Sequence, residues 1–383
     1  MTARALAADT VFDGVALHHD AAVVVEGDTI RAVAPIAGLA RDLAVERLPH
    51  GAWLAPGFID LQVNGGGDVL FNDAPTPEGI AAIAAAHRRF GTTALLPTLI
   101  SDTPAVMLAA RQAAAAAIAD NPGILGIHFE GPFLAPERAG IHDPGRLRVA
   151  DAADLDFLGA SAGGVTLVTL APECVPPGFI AALRMRGIRV ALGHSAAGYD
   201  ETRAALAAGL GGFTHLFNAM PPLAARAPGP VAAALETPGA WYGLIVDGVH
   251  VAPAMLRLAL RGRGRPLLVT DAMPPVGGTR RDFSLQGRAI RAADGRLSDA
   301  DGRLAGSLLD MASAVRNAVR LLGLPLTRAL AMASRAPAAA LGLDRRLGRL
   351  RAGFRADLVA LDPQTVEVLG TWVAGRGGLR RPA

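Results

Sequence analysis

Three consecutive segments of the chain read TALLPT (residues 93–98), PAVMLAARQAAAAAIA (104–119) and ILGIHF (124–129). The first and third are short apolar runs with the length of buried strands. The alanine-rich segment between them has the length and composition of a helix, and it begins with proline, which is common at the first helical position. A strand, a helix and a second strand in this order predict a parallel sheet with crossover helices.

The same alternation continues in both directions along the chain. Apolar runs that predict strands lie at 54–61, 93–98, 124–129, 165–170, 189–192, 212–216, 242–246 and 266–270. Helical patterns lie at 77–90, 104–119, 199–208, 252–261 and 308–322. Eight strands that mostly alternate with helices predict an α/β fold of the (β/α)8 TIM-like barrel type, with a doubly wound sheet as the alternative.

The two chain ends have a different character, with short β-rich pieces separated by turn signals. We therefore expect residues 1–52 and 345–383 to build one small β-sandwich domain together, and residues 53–344 to form the barrel. Residues 277–306 interrupt the alternation, and their Asp294-Gly295 and Asp301-Gly302 pairs predict a β-hairpin insert after the eighth strand.

Composition excludes several classes of protein. The 383 residues are 51% hydrophobic and 19% charged, which excludes a disordered chain and predicts a large buried core. All 37 basic residues are arginine, and the net charge is only +3 without obvious clustering, so a nucleic-acid partner is not expected. The lack of lysine removes Schiff-base chemistry, the P-loop and a carbamylated lysine between two metals.

The cellular setting predicted from the sequence is the cytoplasm. Cys174 is the only cysteine, so no internal disulfide can form, which fits a reducing compartment. The apolar stretch at the N-terminus is shorter than a signal peptide. The longest window without charge, 204–225, contains glycine, proline and histidine, so no membrane helix is expected.

Polar residues gather where the predicted strands end, which is where a barrel of this type builds its active site. One such histidine alone is also compatible with a structural hydrogen bond. Placement on five or more strands is different, because burying carboxylates and imidazoles around one point costs several kcal/mol without a cation. The residues are Gln62, Asn64, His128, Glu130, Glu173, His194, His215, Asp247, His250 and Asp271.

Three of these strand-end residues form a candidate set of metal ligands, and a fourth is a candidate general base. Glu130, His194 and His215 supply one carboxylate and two imidazoles, a common catalytic zinc set. His128 lies on the same strand face as Glu130, but only one of the two needs to be a ligand. Asp271 can act as general base toward water whose pKa a metal lowers to about 7. A turn or N-cap role for Asp271 is the structural alternative.

Residues 56–60 (PGFID) resemble the first-strand signature of the amidohydrolase superfamily. There the motif continues into His-x-His, whereas this chain has Gln62 and Asn64. That departure resembles the N-acetylglucosamine-6-phosphate deacetylase branch. Further segments resemble that branch in order: NGGG (64–67), HFEGPF (128–133), GIH (140–142), GHS (193–195), THLFNAM (214–220), DGVH (247–250), TDA (270–272) and LAGS (304–307).

The resemblance implies a metal-dependent removal of the acetyl group from N-acetyl-D-glucosamine 6-phosphate. It implies one divalent metal per subunit on Glu130, His194 and His215; zinc fits, and iron, cobalt or manganese would also be accepted. Asp271 then corresponds to the catalytic acid/base and His142 to the residue that polarises the carbonyl. The loss of His-x-His puts a second metal in doubt.

The resemblance also implies the contacts of an amino-sugar phosphate. The substrate-binding residues would be Asn218, Ala219, Arg226, His250 and Gln62, with His250 reaching the phosphate in a neighbouring subunit of a homodimer. Leu308 stands where the branch often has a second serine. Alternatives are an amidohydrolase for another N-acetyl hexosamine phosphate or a cyclic amide, and a non-catalytic barrel.

Overall fold

The computed structural model describes residues 3–160 and 163–380. Its central sheet has eight parallel strands, each hydrogen-bonded to the next along the chain. We number these barrel strands 1 to 8: Phe58–Val63, Thr92–Ile100, Gly126–Glu130, Val165–Leu170, Arg189–Leu192, Gly212–Phe213, Trp241–Leu244 and Arg265–Leu268. Sequential order with no reversal is the order of a barrel and excludes the doubly wound alternative.

The segment after barrel strand 8 returns to strand 1. The backbone N–H of Asp271 donates to the carbonyl of Gln62 at 3.0 Å, and Val63 pairs in parallel with Ala272. Buried Asp60 links the same two segments, because its carboxylate accepts from the Thr270 hydroxyl at 2.5 Å and from the backbone N–H groups of Gln62 and Thr270 at 3.2 and 3.3 Å. Burial raises the pKa of Asp60 to about 7. The predicted (β/α)8 barrel is confirmed.

Helices cover the outside of the barrel. Thr76 and Thr103 cap the first two by accepting backbone N–H groups, and each is followed by proline at the first helical position. The barrel helices are Pro77–Arg88, Pro104–Asp120, Ala152–Gly159, Phe179–Met185, Tyr199–Ala207, Gly229–Glu236, Pro253–Ala259 and Met311–Leu322, followed by Leu326–Ala333 and Arg335–Leu341. Short 3-10 turns lie at Ile36–Gly38, Pro136–Arg138, Pro144–Arg146 and Pro172–Cys174.

Both chain ends contribute to a second sheet, as predicted. Its strands are Arg4–Phe12, Leu17–Glu26, Thr29–Pro35, Ala44–Arg47, Trp53–Pro56, Leu358–Leu361, Val368–Val373 and Arg376–Leu379. Both faces of its first strand are buried, since Leu6 and Ala8 join one apolar cluster and Ala5 and Ala7 another. The residue limits predicted for the two domains remain a prediction.

The strand predicted over 54–61 is wrong in one respect, because the structure divides it. Trp53–Pro56 belongs to the small sheet and Phe58–Val63 to the barrel. Gly57 separates them, and a Cβ there would lie 2.2 Å from the side chain of Thr93. A continuous apolar run carries no mark of such a division, so the pattern alone could not reveal it.

The insert after barrel strand 8 is a three-stranded antiparallel sheet. Its strands are Phe283–Leu285, Arg288–Ala293 and Arg296–Ser298. Leu285, Ile290 and Leu297 pack with Ile100, the last residue of barrel strand 2, and with Ile141 in the loop after barrel strand 3. Two short strands, Gly65–Gly66 and Val69–Leu70, lie at the same end of the barrel. None of the helices in residues 3–160 and 163–380 has the length and apolar character to cross a bilayer.

Replacing Asp60 with alanine tests its role in closing the barrel. The substitution leaves two buried N–H groups without their acceptor and removes the shorter of the two hydrogen bonds of the Thr270 hydroxyl. We therefore expect the free energy of unfolding to fall by about 2–4 kcal/mol. Asp60→Asn keeps an oxygen acceptor and is expected to lose less. Chemical denaturation of the full chain measures both, and an unchanged stability of the alanine variant would contradict this role.

Candidate metal centre and active site

Three predicted site residues follow barrel strands 5, 6 and 8 in an unusual backbone conformation. His194, His215 and Asp271 have φ angles of 50°, 31° and 53°. Residues with a Cβ atom rarely adopt these left-handed backbone angles, and each instance costs roughly 1–2 kcal/mol. Such strain clusters at functional sites, where surrounding contacts maintain it. Here it lies at the carboxyl end of the barrel, where the site was expected.

Glu130, His194 and His215 meet at one point. The Oε1 atom of Glu130 lies 3.2 Å from Nε2 of His194 and 2.9 Å from Nε2 of His215, and the two Nε2 atoms are 3.0 Å apart. All three side chains are buried. They form the group of potential metal ligands that the structure brings together within the described part of the chain.

The orientation of the His194 ring fits a cation at that point. Nδ1 of His194 lies 2.8 Å from the carbonyl oxygen of Arg138, which can only accept, so Nδ1 carries a proton and Nε2 is the atom that a metal would bind. Nε2 of His215 at 3.0 Å and Oε1 of Glu130 at 3.2 Å face this atom. One carboxylate and two imidazoles directed at one point are a set that a divalent metal accepts, with the Arg138 carbonyl orienting His194.

Glu130 remains ionised at this position. Burial alone would raise the pKa of its carboxyl group. The hydrogen bonds and charges of His194 and His215 outweigh burial and hold that pKa well below its usual range. A permanently charged carboxylate is what a metal ligand requires, because only the deprotonated form binds the cation.

Asp271 lies beside this group and is held by two amides. Its Oδ1 atom accepts from Nδ2 of Asn64 at 2.6 Å and from Nε2 of Gln62 at 3.0 Å. The same Gln62 nitrogen lies 3.2 Å from each carboxylate oxygen of Glu130. Burial and the nearby charge of Glu130 raise the pKa of Asp271. Gln62, predicted to contact substrate, therefore joins the two carboxylates.

His142 lies against the metal group. Its ring packs edge-on against His194, with 4.5 Å between the ring centroids, and its Nδ1 atom lies 2.8 Å from Oγ of Ser101. Burial, together with the charge of His194, lowers the pKa of His142 to about 3, so the ring is neutral.

Glu130, His194, His215, Asp271 and His142 share one open cavity with most of the predicted substrate contacts. Asn218, Ala219 and His250 line it, and Asp247 holds the His250 ring by a 2.6 Å hydrogen bond. Two arginines that the sequence did not single out, Arg138 and Arg303, also line it. Ile100, Ile141, Met273 and Leu304 supply its apolar wall.

Arg226 is not part of this cavity. It lies on an exposed loop of its own chain, outside the lining residues. His250, which was expected to reach a neighbouring subunit, lines the cavity of its own chain. Its reach into a second subunit remains a prediction.

Several other polar strand-end residues have structural partners. His128 lies 3.0 Å from the Leu61 carbonyl and 2.7 Å from the Thr169 hydroxyl, so it is not among the metal ligands. Glu173 accepts from Ser195 and from the next backbone N–H. Burial raises the pKa of Cys174 to about 11, which agrees with an unreactive thiol.

Two contributors were missed by sequence reasoning. The carbonyl of Arg138 orients His194, and a backbone atom leaves no signal in residue type. Ser101 follows barrel strand 2, where the search for polar strand-end residues could have found it, but serine is too common in turns to stand out.

Fold and ligand set together define a (β/α)8-barrel protein with a Glu/His/His group that could bind a metal. The sequence profile of the amidohydrolase family matches residues 53–377, and the chain belongs to this family.

Individual relatives are similar to this chain over most of their length. The N-acetylgalactosamine-6-phosphate deacetylase of Shewanella sp. (strain ANA-3) is 46% identical over 86% of this chain and 84% of its own. A crystal structure of N-acetylglucosamine-6-phosphate deacetylase from Pasteurella multocida matches with a TM-score of 0.95 at 34% identity, over 99% and 100% of the two chains. A mutant of the Mycobacterium smegmatis enzyme in complex with N-acetyl-D-glucosamine-6-phosphate matches with a TM-score of 0.90 at 37% identity, over 98% of this chain and 99% of its own.

The donor set makes a prediction about metal content. Glu130→Gln removes the only charged ligand, so we expect metal affinity to fall by about tenfold or more, as it does when ligand environments are damaged. Elemental analysis of dialysed protein and the shift of the melting temperature on metal addition measure this. Glu173→Gln is the matched control and should bind like the unchanged chain. Equal metal binding by the Glu130 variant would contradict the site.

Proposed function

We propose that this chain hydrolyses the acetamide of N-acetyl-D-glucosamine 6-phosphate, giving D-glucosamine 6-phosphate and acetate. The observation that carries the proposal is the meeting of Glu130, His194 and His215 with Asp271 and His142 in one cavity. The chain is an amidohydrolase, and it is similar over nearly its whole length to deacetylases of this name.

Asp271 is suited to move the proton. A divalent cation bound to the three ligands would polarise the carbonyl and lower the pKa of water, which is the chemistry that a Lewis acid supplies. Oδ1 of Asp271 is occupied by Asn64 and Gln62, whereas Oδ2 makes no hydrogen bond within the described residues. Oδ2 therefore accepts the proton of the attacking water and then delivers it to the leaving amine.

His142 is suited to stabilise the oxygen of the acetyl group. The neutral ring directs one nitrogen at Ser101, which leaves the other for the cavity. An N–H donor there would hydrogen-bond the carbonyl oxygen as it gains negative charge. Removal of one such donor typically lowers kcat by about 100- to 1,000-fold.

The sugar phosphate would be held by the wider part of the cavity. Asn218, Ala219 and His250 line it, and Arg138 and Arg303 provide positive charge that a phosphate can bind. Arg226 can contact substrate only if a second subunit brings its exposed loop to the cavity. We therefore propose a homodimer together with a substrate-binding role for Arg226, since the second requires the first.

We further propose zinc as the metal and the cytoplasm as the location. Two imidazoles with one carboxylate are a common catalytic zinc set, although iron, cobalt and manganese share these ligands. The single buried cysteine, Cys174, fits a reducing compartment.

A second candidate substrate is N-acetyl-D-galactosamine 6-phosphate. The relative from Shewanella, with the higher identity of 46%, carries that activity in its name. The two sugars differ only in the orientation of one hydroxyl, so the same acetamide chemistry serves both.

Asp271→Asn tests the proton transfer. We expect kcat to fall by about 100- to 10,000-fold, because a general acid–base group is lost, while metal content stays unchanged. Since the pKa of Asp271 is raised, its basic form is lost as the pH falls, and kcat/KM should decline on the acid side at a pH above the range of an ordinary aspartate. The exposed Asp282→Asn is the control. Near-normal turnover of the Asp271 variant would refute the role.

Substrate comparison tests the sugar. We expect both 6-phosphorylated N-acetyl hexosamines to have a much higher kcat/KM than unphosphorylated N-acetylglucosamine, because the phosphate meets positive charge in the cavity. Assays of released acetate on the three sugars measure this preference and rank the two epimers. A clear preference for the unphosphorylated sugar, or turnover of cyclic amides alone, would overturn the proposed substrate.

A further inference from the structure

The end of barrel strand 2 is held from two sides by side-chain amides. On one side Asn72 donates to the carbonyl of Ile100 at 3.1 Å and to Asp102 at 2.9 Å. On the other side Gln286 donates through Nε2 to the carbonyl of Ser101 at 2.7 Å and to Asp102 at 3.3 Å. Gln286 lies at the turn between the first two strands of the insert, far along the chain from Ser101.

Ser101 in turn fixes the ring of His142. Its backbone N–H donates to Nδ1 at 3.3 Å, and its hydroxyl lies 2.8 Å from the same atom. A backbone N–H can only donate, so Nδ1 holds the lone pair and the proton of the neutral ring is on Nε2. Nε2 has no hydrogen-bond partner in residues 3–160 and 163–380, and the ring lines the cavity.

The residue at this turn is unusual for its backbone. Gln286 and Gly287 have φ angles of 49° and 83°, the conformation of a two-residue turn that favours Asn-Gly. Glutamine has no advantage there. Its side chain points inward, since its Oε1 atom is buried without a partner. The contact with Ser101 therefore explains a residue that the turn itself does not favour.

We propose that Gln286 is a positioning residue of the deacetylation reaction: by holding Ser101 it keeps His142 in the tautomer that presents Nε2–H to the substrate carbonyl. This inference rests on the proposed function. The insert then takes part in catalysis, because its hydrogen bond to the Ser101 carbonyl helps to hold the residue that orients His142.

Gln286→Asn separates this role from the stability of the insert. Asparagine suits the turn better than glutamine, so folding should be preserved or improved. Its side chain is one methylene shorter and is expected to lose the hydrogen bond to the Ser101 carbonyl. In the metal-loaded full chain we expect kcat to fall by about tenfold with KM changed less than about twofold, since the donor acts in the transition state. Arg291→Ala, an exposed change in the same insert, should have no effect.

Ser101→Ala completes the set. It removes the closer of the two contacts to Nδ1, so we expect a loss of kcat at least as large as that of Gln286→Asn. The double variant should lose less than the product of the two single losses, because both act through one ring.

Nitrogen-15 NMR of the histidine rings provides a readout that does not depend on turnover. The signals of His142 are identified by their loss in His142→Gln. In the unchanged chain we expect a pyridine-type Nδ1 and a pyrrole-type Nε2, and in Gln286→Asn a shift toward mixed tautomers. Ser101→Ala keeps the backbone N–H donor, so its shift should be smaller.

Two results would overturn the proposal: a protonated Nδ1 in the unchanged chain, or unaltered kcat and tautomer in the Gln286 variant. If the unchanged chain does not release acetate from any of the sugars, the proposed function fails, and the NMR result still decides whether Gln286 sets the tautomer.

Discussion

The structure depends on the burial of one carboxylate and two imidazoles whose potential ligand atoms face one another. Nε2 of His194 and Nε2 of His215 lie 3.0 Å apart, and Oε1 of Glu130 lies within 3.2 Å of both. In a dry environment this arrangement needs positive charge among these atoms, which protons on the imidazoles or a bound cation can supply. It is maintained by groups outside it, including the Arg138 carbonyl and the amide of Gln62. The free-energy cost of burying these three side chains together is an argument for metal binding that does not depend on comparison with other proteins.

The barrel makes this convergence possible. Glu130, His194 and His215 come from strands 3, 5 and 6, which only a curved, sequentially ordered sheet directs at one centre. Asp271 reaches the same centre because the segment after strand 8 is joined to strand 1 through Asp60 and Thr270. The hydrogen bonds of Asp60 and Thr270 that close the barrel are therefore adjacent to the proposed acid/base, Asp271. The same few hydrogen bonds stabilise the barrel and position this carboxylate.

The sequence could predict the architecture because the period of its apolar runs reports burial directly. It could also predict the metal group, since Glu130, His194 and His215 are residue types that strand ends rarely collect by chance. It could not reveal that residues 54–61 divide between two sheets, because both pieces are apolar. Nor could it show that Arg226 lies outside the cavity of its own chain, that Gln62 joins two carboxylates, or that Gln286 reaches Ser101. These facts depend on how loops distant in sequence fold over the barrel.

The central claim is that a single cation binds where the three donors meet. Anomalous scattering from a crystal of the metal-loaded protein, collected at the absorption edge of the metal, tests it most directly. The account predicts one peak per subunit, about 2.0–2.2 Å from Glu130, His194 and His215. No peak at that position, or a peak bound by other residues, would contradict it.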